Sequence, residues 1–232
     1  MRAPRLGLLL CALVLAAAGS LGIGYAEPGK PPAHRLRVHI DPGAHRLRAV
    51  DRLRWRGGGP LAFSLHPDLR VRKVTVDGSP YDGHRSRDQP THWRGDRALG
   101  GGSHTAVIRY AGTLKGSASR NRNAVPPALG PRISPQGIYL DGGPWYPENG
   151  SLRNGYRVTA TTPRGIRVVV PGRREGGKAS GDSRTVRFRM DHPAQSIVLL
   201  GGPYRVRREG GPGNVEVATY LHPGLGKLAG PY

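Results

Sequence analysis

The sequence predicts an all-β fold, a mostly antiparallel β-sandwich, and three observations carry that prediction. Apolar residues recur with period two along most of the chain, as in strands with one buried face. Turn chemistry separates the runs: Asp41-Pro42-Gly43, Gly57-Gly58-Gly59-Pro60, Asp77-Gly78, Pro163-Arg164-Gly165, Pro171-Gly172 and Gly201-Gly202-Pro203. After residue 33, no long window places apolar residues at helical spacing.

The first 26 residues read as a secretory signal peptide, expected as a helix ahead of the β domain. Arg2 and Arg5 supply the positive end, Leu8 to Ala18 the apolar run, and Gly24-Tyr25-Ala26 a small-residue cleavage site. The expected location is periplasmic or extracellular. The alternative is an uncleaved membrane anchor, since Leu6 to Ala26 is uncharged and about 20 residues suffice to span a bilayer. Cys11, the one cysteine, lies inside this run, so no disulfide framework or cysteine-based zinc module is expected. Residues 27–33 hold three prolines and read as an extended linker.

Strands follow in order. His34 to Ile40 alternates cleanly, and further runs fall at 45–55, 60–65, 69–76, 104–111, 156–162, 185–190, 196–200, 203–208 and 214–221. Ile166 to Val170 and Ile197 to Leu200 are more continuously apolar and suit strands buried on both faces. Residues 113–135 read as a long loop, with four prolines and Asn121 and Asn123. Gly172 to Ala179 has the glycine and lysine spacing of a phosphate-binding loop. It lacks the magnesium-holding Ser or Thr and a following helix, so it reads as a hairpin loop.

Lys and Arg total 36 against 15 Asp and Glu, a formal charge of +21. That charge raises an anionic partner: nucleic acid, a phosphorylated glycolipid headgroup or an acidic membrane surface. The arginines sit at alternate strand positions along the whole chain and no aromatic nucleic-acid signature accompanies them. A solvated strand face with incidental polyanion binding is therefore favoured over dedicated nucleic-acid recognition. None of the nine histidines is followed by Glu, so the His-Glu-x-x-His zinc motif is absent, as is a Gly-x-Ser-x-Gly elbow. No catalytic residue and no metal ligand is assigned.

The richest segment is Gly137-Ile138-Tyr139-Leu140-Asp141-Gly142-Gly143-Pro144-Trp145-Tyr146-Pro147, followed by the runs 156–163, 165–172, 185–188 and 197–204. Their order, with Leu69 to Gly78 upstream, resembles the N-terminal domain of M1-family zinc aminopeptidases, of the bacterial exported M1-like type, over about 34–222. The resemblance implies a saddle-like β-sandwich packed on a separate catalytic domain that supplies zinc and binds peptide. Residues 223–232 would be the start of that following domain, cut short, and the domain's bare docking face would be a contiguous apolar patch. The resemblance also points to a Glu or Gln near the substrate's amino group. Gln136 is the first candidate for that role and Asp141 the second, while Trp145, Tyr146 and Pro147 anchor the loop. The implied function is a non-catalytic scaffold for the substrate cleft. The alternative is a free-standing secreted basic module that binds anionic surfaces or a partner protein.

Overall fold

A computed structural model describes residues 33–116, 130–141, 143–149, 155–211, 213 and 216–224. The signal segment and nearly all of the linker lie outside the described residues, as do 117–129 of the long loop and 225–232 of the C-terminal segment.

Seventeen strands form four sheets among the described residues. The first eight are β1 (His34–Asp41), β2 (Arg46–Arg56), β3 (Ala62–Ser64), β4 (Leu69–Val76), β5 (Ser79–Pro80), β6 (Gly83–Arg85), β7 (His92–Gly95) and β8 (Ser103–Thr113). Next come β9 (Arg132–Ser134), β10 (Gly137–Leu140), β11 (Tyr156–Pro163), β12 (Arg167–Val169) and β13 (Arg173–Ser180). The last four are β14 (Ser183–Met190), β15 (Leu199–Gly202), β16 (Arg205–Gly210) and β17 (Glu216–Leu221).

The large sheet has the order β13-β14-β11-β1-β2-β8-β4-β5. The smaller sheets run β12-β15-β10-β9, β3-β7-β6 and β16-β17. Every pairing is antiparallel except β1 with β11, where His34 stands opposite Tyr156.

Period-two alternation places Leu36, Val38 and Ile40 of β1, Leu47, Ala49 and Leu53 of β2, and Val158 and Ala160 of β11 on one buried face. They join Ile133, Ile138, Leu140 and Leu199 of the four-stranded sheet in one core. Phe63 and Trp93, stacked with centroids 4.8 Å apart, extend that core into the three-stranded sheet. Gly112 opposes Leu69 where β4 meets β8; a Cβ there would lie 1.9 Å from the Asp68 carbonyl oxygen, so only glycine fits.

Three expectations need correction. Residues 113–135 are not loop throughout: β9 lies inside them, held by Ile133 N–H donating to the Leu114 carbonyl at 2.7 Å. Gly172 to Ala179 is not a hairpin loop but largely the edge strand β13, bulged between Arg174 and Gly176, with Gly181 at the turn into β14. The apolar docking face is missing among the described residues, where Val217, at 51% exposure, is the exposed large hydrophobic.

Candidate functional site

Gln136 sits exposed in the turn between β9 and β10, beside Ser134, whose hydroxyl accepts from the Gly137 N–H at 3.3 Å. Asp141 follows the other end of β10, half-buried, and accepts from the Tyr139 hydroxyl at 3.4 Å. A four-residue strand at a rise of roughly 3.3 Å per residue separates the two, so they do not converge on one point.

Trp145, Tyr146 and Pro147 are buried in the chain that leaves this sheet. The Trp145 indole N–H donates to the Ile197 carbonyl at 2.6 Å, and the Tyr146 hydroxyl accepts from the Ile197 N–H at 3.3 Å. Backbone bonds at 2.7 and 2.9 Å join Ser64 to Glu148, and the His66 N–H donates to the Pro144 carbonyl at 2.6 Å. The segment thereby ties the end of β3 to the approach to β15.

Beneath it lies a buried polar cluster. His34 Nδ1 is 2.6 Å from Asp51 Oδ2, and both side chains are at most 1% exposed. The His34 ring meets Tyr146 edge-on, with centroids 5.3 Å apart. Asp51 Oδ1 and the Tyr110 hydroxyl are buried with no hydrogen-bond partner among the described residues. Burial, then the negative charge of Asp51, push the Tyr110 hydroxyl well above its ordinary pKa. Tyr146 is pushed up by burial first and by Glu148 second. Sequence reasoning missed His34, Asp51, Tyr110 and Glu148. The signal was available for Asp51, which shares the inward positions of β2 with Leu47, Ala49 and Leu53.

Glu148 is held above the usual carboxylate range, mainly by burial, against the opposing hydrogen bond to Tyr146 and the charge of His34. The folded protein therefore holds this proton to higher pH than the unfolded chain does. Glu148 weakens the fold as pH rises through that window and costs stability at neutral pH. Glu148→Gln is expected to flatten the stability profile just above the ordinary carboxylate pKa and to raise Tm at pH 7; denaturant titrations across pH check this.

The opposite face of the large sheet is cationic. Arg189, Arg157, Arg35 and Arg52 stand in register across β14, β11, β1 and β2. Arg187 and Arg37 follow in the next row, with Thr159 between them. Glu175 accepts from Arg157 at 3.1 Å and lies 3.9 Å from Arg189. Desolvation, then the charges of Arg54, Arg157, Arg52 and Arg189, lower the pKa of Arg35. Like charges directly opposite one another destabilise a sheet. Arg35→Thr is thus expected to gain about 0.5 kcal/mol, with the gain shrinking in 1 M salt, as read from urea midpoints.

No protein-family model matches the chain, and no curated protein matches it. Solved structures do. An M1 zinc metallopeptidase from Deinococcus radiodurans superposes with a TM-score of 0.61 at 17% identity, covering 81% of this chain and 46% of that one. A mutant of that enzyme bound to a Tyr-Ser-Ala substrate gives 0.62 at 17% identity with the same coverage. A two-domain M1 zinc metallopeptidase mutant bound to L-arginine gives 0.63 at 17% identity, again over 81% of this chain and 46% of that one. The likeness at this identity is one of fold.

The zinc that those enzymes are named for does not fit the described residues. No group of three or more His, Cys, Asp or Glu among them could hold a metal, and His34 with Asp51 offers only two such side chains in a sealed core. Over 81% of its length this chain has the fold of M1 zinc metallopeptidases, and it spans less than half of theirs.

Proposed function

We propose that this chain is the non-catalytic N-terminal domain of an exported M1-type zinc metallo-aminopeptidase, forming one wall of the substrate cleft against a domain that carries His-Glu-x-x-His. The fold match, 81% of this chain against 46% of the enzymes, carries the reading. The sequence supports it, since peptide hydrolysis by that route needs a metal-activated water and a general base. None of the nine histidines here begins the motif that supplies them. With little exposed apolar surface among the described residues, the contact between the two domains is polar and salt-sensitive. Gln136 and Asp141, the residues proposed to face the substrate's amino group, flank the two ends of β10, which leads to the anchored loop. The test is reconstitution: a polypeptide bearing His-Glu-x-x-His from the same organism, mixed with this chain, should give a complex with zinc-dependent aminopeptidase activity. An activity indifferent to this chain would overturn the reading.

A second reading, a free-standing module for anionic surfaces, draws on the in-register arginines of the large sheet. It requires binding to vesicles of anionic lipid that weakens in Arg35→Gln/Arg37→Gln and falls steeply with salt.

A further inference from the structure

Residues of β12, the β13–β14 hairpin and the β16–β17 hairpin line a half-open pocket of about 370 Å3. Two of its arginines stand on the core side of the large sheet while remaining at least partly exposed. Arg184 lies two residues before the buried Val186 on β14, and Arg174 stands opposite the buried Phe188. Both therefore share the side of the sheet that carries its core.

Arg167, Arg174, Arg184, Arg205 and Arg208 line the pocket, and among the described residues no carboxylate does. Glu216 pairs with Arg208 without lining the pocket. Tyr204 and Tyr220, edge to face with centroids 6.1 Å apart, complete one wall. After burial, the charges of Arg167, Arg164 and Arg174 act on Arg184 and hold its pKa below the ordinary guanidinium value. Crowded guanidiniums offer planar forks of N–H donors matched to phosphate and sulfate oxygens. The volume suits a small molecule rather than a polymer segment.

We propose that this pocket is a binding site for a small ligand bearing clustered phosphate or sulfate groups. Arg184 and Arg167 grip the anion at its centre, and Tyr204 and Tyr220 give an aromatic wall beside it. The proposal is independent of the domain-docking reading above.

Calorimetric titration of the full chain tests it at physiological salt, with inorganic tripolyphosphate in one arm and a sulfated disaccharide in the other. Saturable binding at one site is expected in at least one arm, and the tighter arm identifies phosphate or sulfate as the source. Arg167→Gln/Arg184→Gln is expected to weaken that binding about a hundredfold, taking each charge-assisted contact as roughly tenfold. The control, Arg46→Gln/Arg48→Gln at exposed positions of β2, should leave it within about twofold. Equal weakening by both double variants would mean diffuse sticking and overturn the site. So would no saturation at millimolar ligand.

Discussion

His34→Ala is expected to cost about 3 kcal/mol of stability, the upper end of the range for leaving a buried hydrogen-bonding group without its partner. The reason is what remains behind. Asp51 is 0% exposed, Oδ2 would lose its contact with His34, and Oδ1 has no hydrogen-bond partner among the described residues. A buried carboxyl group with both oxygens unbonded carries its full desolvation cost. The edge-on contact of His34 with Tyr146 goes as well. Replacing both members with apolar side chains, His34→Phe with Asp51→Leu, is expected to recover most of the loss, because no buried polar group is then left unpaired. Urea midpoints of the two variants separate these outcomes. If the single variant were nearly neutral, the cluster would be more hydrated than its burial indicates.

Trp145→Ala is expected to cost about 3–5 kcal/mol, from lost transfer energy and the cavity left at a site 1% exposed. Trp145→Phe keeps most of the volume but leaves the Ile197 carbonyl without its indole donor, about 1–3 kcal/mol. Both changes loosen residues 143–148, so hydrogen exchange should quicken at the Ser64 and Glu148 amides, each of which donates to the other residue's carbonyl. Unchanged protection at those two amides would show that the segment is held by other contacts.

Much of the fold was legible in the sequence. The alternation in β1, β2, β11 and β14 assigns their buried faces correctly, because one side of the large sheet packs on core and the other meets solvent. The Asp77-Gly78 turn joins β4 to β5 with both residues at positive φ, 51° and 88°. Strand β13 was illegible for a physical reason. At the sheet edge its side chains are mostly exposed, so it needs no apolar alternation and tolerates Gly176 and Gly177. Strand β9 is three residues long and exists through contacts with Leu114 and β10, which no local pattern encodes.

The polar cluster was half legible. The inward position of Asp51 follows from alternation in β2. Its pairing with His34 depends on the β1–β2 register, in which Asp51 opposes Leu36 and His34 is the diagonal neighbour. The arginine pocket was hidden more deeply. Alternation assigns charged strand residues to solvent, whereas Arg184 of β14 and Arg174 of β13 share the core side of their sheet, at opposite ends of the β13–β14 pair, and both line the pocket.

The proposed role, shaping a peptidase's cleft without performing its chemistry, is tested most directly by loading purified chain with zinc, desalting it, analysing bound metal and assaying it on an aminoacyl-anilide. Well under one zinc per chain and no hydrolysis above background are expected. One tightly held zinc per chain together with zinc-dependent release of the anilide would contradict it.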